Sequence, residues 1–221
     1  IEPIIKEFER EQIIIYSTGG TGEFIKKLGV KYVPIEDITS YPSILGGRVK
    51  TLHPKVFGGI LNRKNKNEDQ KELLDYEIPQ IDLVIVDLYP FEETIRSTKN
   101  ERKIIEKIDI GGICLIRAAA KNFNDVLCIS DKSDYDDLLK ILKKSGAQTT
   151  INTRKKFAIK AFDISSNYDA AIFNFFNKDN FINSLKISSK DYTPLRYGEN
   201  PHQKGTFYGD LKKDLSQIHG K

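Results

Sequence analysis

Three cationic side chains stand in one short stretch of the sequence that glycines punctuate, residues 46–61. Arg48, Lys50 and His53 lie within GGRVKTLHPKVFGGIL, together with the hydroxyl of Thr51. Glycines let a backbone approach a ligand closely, while a guanidinium and an ammonium supply positive charge. The stretch therefore predicts an anion-binding loop. The alternative is a solvated basic loop in which His53 only shapes the turn.

A second glycine turn, YSTGGTGEF at residues 16–24, joins an apolar run to the start of a helical pattern. Backbone N–H groups at a helix start point outward, and the helix dipole favours an anion there. A phosphate is therefore predicted on Thr18 to Thr21. The alternative is a tight turn in which Thr21 only caps the helix. The spacing matches neither the Walker nor the Rossmann glycine motif.

The apolar run IDLVIVDLYP ends with Asp87 and Tyr89. A run of this length between helical patterns is typical of a buried parallel strand. Ligands in open α/β sheets bind beyond the carboxyl ends of the strands, so Tyr89 is a candidate hydrogen-bond donor to a ligand. The alternative is a tyrosine at the edge of the core.

The segment EKIDIGGICLIRAAAKN combines a carboxylate, two glycines and two cations. Asp109 precedes Gly111 and Gly112, whose amides are candidates for an oxyanion or phosphate site. Arg117 and Lys121 follow on one face of a helix. The alternative is a structural ion pair between Asp109 and a nearby cation.

The elements that must position these residues alternate between helix and strand. Helical patterns are predicted at EPIIKEFER, 22–28, 68–76, 101–108, 113–121 and roughly 149–176. Strands are predicted at IIIYS, KYVPIED, IDLVIVDLYP and NDVLCIS. Ser133 with Asp136 resembles a capping box at the start of the helix that follows the last strand. This alternation predicts an α/β layered fold with a mostly parallel sheet.

Composition limits the classes of function. The 221 residues include 39% hydrophobic residues and charges of both signs, as in an ordinary globular protein. The formal net charge of +4 without a long Lys/Arg block argues against nucleic-acid binding. The apolar runs are too short to span a bilayer, and the first residues do not form a secretory signal, so the cytoplasm is the expected compartment.

Histidines and cysteines do not predict a metal site. His53, His202 and His219 are far apart in the sequence. Cys114 and Cys128 each lie in an apolar segment, which predicts buried structural thiols. The chain starts at Ile1 and contains no Met, so we expect it to be a piece of a longer protein.

Six blocks of the sequence, taken in order, closely resemble the family of bifunctional purine-biosynthesis enzymes that join IMP cyclohydrolase to AICAR transformylase. The blocks are STGGT, GGRVKTLHP, LYPF, IDIGG with RAAAKN, KAF…YD.AI and LRYGENPHQ. Together they extend over essentially the whole chain. The resemblance implies a methylglyoxal-synthase-like α/β fold, a mostly parallel central sheet with helices on both faces.

The resemblance also implies the cyclohydrolase reaction, in which formyl-AICAR closes its ring to give IMP and water. No metal or cofactor is expected for this step, and 10-formyltetrahydrofolate would serve only the transformylase. The expected partners are the nucleotide substrate and a second copy in a homodimer, without nucleic acid or membrane. The catalytic positions of the family correspond to Lys50, Tyr89, Asp109 and Lys121. The substrate-binding positions correspond to Ser17, Thr18, Gly19, Gly20, Thr21, Arg48, Thr51, Asp87, Ile110, Gly111 and Gly112.

The implied roles follow the chemistry. Asp109 would act as the base on the carboxamide nitrogen, and Lys50 with Tyr89 would stabilise charge on the formyl oxygen. Lys121 would give the departing oxygen a proton, although the sequence leaves open which residue is acid and which is base. Asp109 and Lys121 are twelve residues apart, or roughly 18 Å along a continuous helix. Both reach one formyl group only if the two glycines fold the chain back or a second subunit contributes.

The resemblance divides the chain into three predicted regions. Residues 1–176 would be the cyclohydrolase domain without its first strand, and 177–193 a linker. Residues 194–221 would begin the transformylase domain, where Arg196 and Tyr197 match AICAR-binding positions. Most of that domain is absent from the sequence, so formyl transfer is not expected.

Family members usually carry a first strand with a phosphate-binding block, S-x-x-(D/H)-K-(T/D)-G, which this sequence lacks. Asp87 stands where many relatives carry Asn. One alternative is a regulatory nucleotide-binding module, such as the methylglyoxal-synthase-like effector domain of carbamoyl phosphate synthetase, which would have no use for IDIGG and RAAAKN. Methylglyoxal synthase itself is a further alternative, but its own glycine-rich pattern is not found.

Overall fold

The computed structural model describes residues 1–189, 191–210 and 212. The chain divides into two compact units, Ile1–Tyr168 and Asp169–Lys221. The four predicted catalytic residues all belong to the first unit.

Some of the predictions fall outside the described residues. His219 lies there, and so does part of the predicted region 194–221. The boundaries predicted after residues 176 and 193 stay predictions.

The first unit contains two parallel pairs of short strands. The strands are β1 (Tyr16–Ser17), β2 (Val33–Pro34), β3 (Leu83–Ile85) and β4 (Leu127–Ile129). β1 pairs with β2, and β3 pairs with β4, with Val84 opposite Cys128. Helices connect the paired strands, so the predicted parallel α/β architecture is confirmed. Each strand is shorter than its apolar pattern, and β1 covers only the end of IIIYS.

Ten α-helices are found in the described part of the chain. They are α1 (Glu2–Arg10), α2 (Gly19–Lys27), α3 (Ile35–Thr39), α4 (Pro54–Leu61), α5 (Asn67–Asp75), α6 (Phe91–Ser97), α7 (Glu101–Ile105), α8 (Gly111–Lys121), α9 (Tyr135–Ser145) and α10 (Ile151–Phe176). Short 3-10 turns cover Leu45–Gly47 and Lys132–Asp134. The predicted helices are thus all present.

Helices cover both faces of the strands. Successive side chains of a strand point to opposite faces, and β4 shows this directly. Leu127 and Ile129 pack in one buried cluster with residues of α1 and α9. Cys128 packs in the other cluster with residues of α4 and α8. The core is therefore layered, with β4 between two sets of helices.

The predicted capping box at Ser133 and the alternative in which Thr21 caps its helix were both wrong. The Ser133–Asp136 capping box is not formed, because Asp131 follows β4 in an extended conformation and its carboxylate accepts from the Ser133 N–H at 2.8 Å. Thr21 does not cap α2, because α2 begins at Gly19 and Thr18 occupies the N-cap position. In both places the helix or turn begins earlier than the side-chain pattern indicates.

The glycines after Asp109 do not break the chain. α8 begins at Gly111 and runs without interruption to Lys121. Glycines are tolerated in a first turn, where the backbone N–H groups lack intrahelical partners in any case.

The two cysteines differ in burial. Cys128 is buried, as predicted, whereas Cys114 is only half-buried. Burial raises the pKa of the Cys128 thiol to about 12. Among the described residues, no helix is both long enough and apolar enough to cross a membrane.

The second unit contains an antiparallel hairpin. Its strands are β5 (Tyr192–Leu195) and β6 (Gly205–Tyr208), with Tyr192 opposite Tyr208. Arg196 and Tyr197 follow β5 directly, and both are exposed.

Candidate functional site

The first glycine turn lies at the carboxyl end of β1 and opens α2. Ser17 ends the strand and is buried, Thr18 is extended, and Gly19 has a positive φ of 46°. The Thr18 side chain makes no capping hydrogen bond. The first amides of α2 therefore lack a side-chain cap from this residue, which is the arrangement that suits an incoming anion.

Lys50 approaches this turn from the basic loop. Its Nζ lies 3.5 Å from the position that a Cβ on Gly19 would occupy, and 3.5 Å from the corresponding position on Gly47. Gly47 also has a φ of 89°, a conformation that L side chains rarely adopt. Glycine at both positions leaves room for the ammonium beside the start of α2. The structure thus brings together two segments that were predicted separately.

The same loop reaches the start of α8. Oγ1 of Thr51 lies 3.1 Å from the position that a Cβ on Gly111 would occupy. A side chain at Gly111 would therefore crowd the Thr51 hydroxyl. Loop residues 46–51 thus border the N-terminal ends of both α2 and α8.

Asp109 is held by hydrogen bonds at its backbone and at its carboxylate. Its N–H donates to the hydroxyl of Tyr168 at 2.8 Å. Its Oδ1 accepts from the N–H of Gly112 at 2.7 Å, so the carboxylate caps α8. A Cβ on Gly112 would lie 2.6 Å from Oδ2, so only glycine lets the carboxylate lie this close.

These contacts correct two expectations for this segment. The Gly112 amide is not free for an oxyanion, because it already donates to Asp109. The alternative of an ion pair is not seen either, since no described cation lies within salt-bridge distance of Asp109. The carbonyl of Ile110 accepts from the N–H of Cys114 at 3.3 Å. The substrate-binding roles of Ile110 and Gly111 stay predictions.

Tyr89 meets this segment through Lys107. The Lys107 Nζ lies 5.1 Å from the centroid of the Tyr89 ring, which is cation–π distance. Tyr89 itself is 51% exposed. Arg48 lies 3.5 Å from Glu106, but both side chains are largely exposed and the pair contributes little. Four segments therefore meet at the carboxyl ends of the strands: the glycine turn, the basic loop, and the segments that carry Tyr89 and Asp109.

Asp87 has a different neighbour. The hydroxyl of Tyr135, at the start of α9, donates to Oδ2 of Asp87 at 2.6 Å. Burial of Tyr135 raises the pKa of its phenol, and the hydrogen bond to Asp87 raises it further. Tyr135 therefore stays protonated and keeps donating at neutral pH. The sequence offered no signal for this pair, whose members are 48 positions apart.

Lys121 is not brought to the other residues within one copy of the chain. It is the last residue of α8 and is exposed, whereas Asp109 caps the first turn. The ends of an uninterrupted helix of this length are roughly 15 Å apart. Arg117 also points elsewhere, since its guanidinium lies 5.8 Å from the Phe162 ring.

His53 shapes the turn before α4, which was the alternative to a role in anion binding. It is the N-cap of α4, and its Nδ1 accepts from the N–H of Lys55 at 3.2 Å. No group of three His, Cys, Asp or Glu side chains is arranged to hold a metal ion in the part of the chain that the structure describes.

The sequence analysis assigned no role to Lys107, Tyr135 or Tyr168, although Tyr168 lies in the block KAF…YD.AI. Each contacts a predicted site residue, but two of the three contacts join positions almost fifty or more residues apart. Lys107 differs from the other two. It lies two positions before Asp109, so the sequence itself shows a cation beside a predicted site residue.

Two family profiles match this chain, one in its N-terminal half and one in its C-terminal half. The profile of MGS-like domains matches residues 1–114. The profile described as AICARFT/IMPCHase bienzyme matches residues 119–221.

Several full-length relatives are similar to this chain. The bifunctional purine biosynthesis protein PurH of Bacteroides thetaiotaomicron is 53% identical over 221 residues, covering 100% of this chain and 43% of the relative. The PurH proteins of Clostridium botulinum and Clostridium acetobutylicum are 41% and 40% identical over 223 residues, covering 99% of this chain and 44% of each relative. The chain therefore spans less than half the length of these relatives.

A solved structure is also similar. The crystal structure of ForH superposes with a TM-score of 0.69 at 37% sequence identity. The match covers 79% of this chain and 92% of ForH.

Proposed function

This chain belongs to the AICARFT/IMPCHase bienzyme family of purine biosynthesis, and we propose that it performs the IMP cyclohydrolase reaction. The reaction is the dehydrative ring closure of formyl-AICAR to IMP. The observation that carries the proposal is the meeting of Lys50, Thr51 and Asp109 around the N-terminal ends of α2 and α8.

The nucleotide is proposed to lie along loop residues 46–51. Its phosphate would accept hydrogen bonds from the first amides of α2, where Thr18 supplies no competing cap. Lys50 lies beside this turn and would add its positive charge. Arg48 is exposed and only loosely paired, so it is free to turn toward the phosphate.

Asp109 is proposed as the general base. The carboxamide nitrogen of the substrate attacks the formyl carbon and loses a proton to the carboxylate. The hydrogen bond from the Gly112 N–H to Oδ1 fixes the carboxylate and leaves Oδ2 available for that proton. Tyr89, with the Lys107 ammonium over its ring, would donate to the formyl oxygen as negative charge develops there.

The resulting carbinolamine must then release its oxygen as water. The bonds formed and broken leave the oxidation states unchanged, so the step calls for proton transfer rather than a redox cofactor. Lys121 is the proposed acid. Because it lies at the other end of α8 from Asp109, we infer that a second copy of the chain supplies it.

The test is turnover by the chain itself. Formyl-AICAR is mixed with the protein, and IMP formation is followed by absorbance against a blank without protein. We expect turnover well above the blank. Binding of IMP, seen as a rise in Tm, without turnover would instead favour a regulatory nucleotide-binding module.

A further inference from the structure

The hydroxyl of Tyr168 joins two backbone groups of the segment that carries Asp109. It accepts from the N–H of Asp109 at 2.8 Å and donates to the carbonyl of Lys107 at 2.8 Å. Tyr168 lies on α10 and is only 9% exposed. One buried phenol therefore spans the turn between α7 and α8.

The ring of Tyr168 contacts a second segment of the site. Its centroid lies 5.9 Å from that of Phe91, at a tilt of 56°. Phe91 opens α6 two residues after Tyr89, and it is almost fully buried. Tyr168 thus contacts both the segment with Tyr89 and the segment with Asp109.

The two segments are also linked directly by Lys107. Its carbonyl is bound by Tyr168, while its ammonium lies over the Tyr89 ring. A shift of the Lys107 backbone would therefore move the cation relative to Tyr89. The same shift would move Asp109, whose N–H is bound by the same hydroxyl.

From these contacts we propose that Tyr168 is a positioning residue for the cyclisation, a role that rests on the function proposed above. It does not touch the reacting atoms. It holds the Asp109 carboxylate and the Tyr89–Lys107 pair in one arrangement. Misplacement of a catalytic group by about 1 Å lowers rates by roughly a hundredfold. A hydroxyl that fixes two catalytic segments is therefore expected to act on kcat.

The test is Tyr168→Phe in the full chain. This substitution keeps the ring that packs on Phe91 and removes only the hydroxyl. We expect kcat for cyclisation to fall by about tenfold or more, with KM within about threefold of the original value, because the substrate contacts remain. An unchanged kcat would overturn the proposal.

A matched control is Ser165→Ala, one turn earlier on α10. The Ser165 side chain is fully buried, and its hydroxyl donates to the Phe162 carbonyl at 3.2 Å within the same helix. We expect kcat and KM to stay as in the original chain. If both variants lose activity in proportion to a fall in Tm, the hydroxyl of Tyr168 is only structural and the proposal fails.

A second measurement does not depend on turnover. The Asp109 amide should exchange its hydrogen about tenfold or more faster in Tyr168→Phe than in the original chain or in Ser165→Ala. Unchanged exchange would overturn the inference about Tyr168. An original chain without turnover would count against the proposed function instead, so the two failures are distinguishable. Faster exchange with unchanged kcat would show that Tyr168 holds Asp109 without positioning it for the reaction.

Discussion

Lys50 and Lys55 stand five positions apart in the same segment, yet their surroundings differ. The Lys50 ammonium lies beside Gly19 and Gly47, next to the start of α2. The Lys55 ammonium lies 3.9 Å from Glu77, whose side chain is largely exposed. Substituting each lysine in turn therefore distinguishes a role of Lys50 in the site from the general effect of removing a positive charge.

We predict that Lys50→Ala lowers kcat/KM for cyclisation by about tenfold or more, because a charge beside the phosphate turn and the reacting end is lost. Lys55→Ala should change it by less than about twofold. Steady-state absorbance kinetics with Tm measured in parallel would check this. Equal rates for Lys50→Ala and the original chain would remove Lys50 from the site.

The two thiols should react differently. Burial raises the pKa of Cys128 to about 12, so almost none of it is thiolate at pH 8. Cys114 is only half-buried. A thiol reagent at pH 8 should modify at most one cysteine of the folded chain rapidly and both in denaturant. Rapid modification of both in the folded chain would contradict the burial of Cys128.

Residue types indicated candidate site residues but not the contacts that hold them. Lys50 and Thr51 follow Gly47 by three and four positions, and Asp109 precedes Gly111 by two, which marks all three in the sequence as candidates. Tyr168 carries no such mark, because its contact with Asp109 joins positions 59 apart. Only the packing of α10 against the α7–α8 turn reveals it.

At the scale of elements, Asn122 ties the end of α8 to the end of α4. Its side-chain amide donates to the carbonyls of Ile60 and Asn62, each at 2.8 Å, and it is buried. α4 follows the basic loop, and α8 follows Asp109. Asn122 therefore helps to fix α8, whose start borders the site, against α4.

We predict that Asn122→Ala lowers the free energy of unfolding by about 2–4 kcal/mol, because two buried carbonyls lose their donor. The control is Asn67→Ala at the exposed start of α5, with an expected change within about 0.5 kcal/mol. Urea denaturation measures both. A similar small change for the two variants would mean that water replaces Asn122 at no cost.

Element types were predictable from the sequence, but their starts were less so. Apolar periodicity predicted α1, whose Ile4, Ile5 and Phe8 are buried on one face. The start of α8 was misjudged because a Gly-Gly pair is typical of a break. Here the Asp109 carboxylate caps the first turn and offsets the low helix propensity of glycine.

At the scale of the whole molecule, the continuity of α8 decides how Lys121 can act. One copy keeps Lys121 and Asp109 at opposite ends of this helix. The proposed reaction needs both, so it needs two copies of the chain. The alternation of strands and helices predicted the parallel fold, but no sequence pattern shows which copy supplies a residue.

We predict that Asp109→Asn and Lys121→Ala are each nearly inactive alone and regain activity when mixed. In random pairing of two copies, roughly a quarter of the original activity should return, because half of the pairs carry one intact site. The rate is measured after mixing the two variants under conditions that allow exchange of subunits. Activity that stays at the level of the single variants would exclude a site shared in this way.

The cyclisation rate of Asp109→Asn beside that of the original chain tests the proposed function most directly. The asparagine side chain can still accept from the Gly112 N–H through its carbonyl oxygen, so α8 should keep its cap and the Tm should change little. Because the general base is lost, we predict that kcat falls by about a hundredfold or more. Equal rates for the two chains would contradict the assignment of Asp109 as the base.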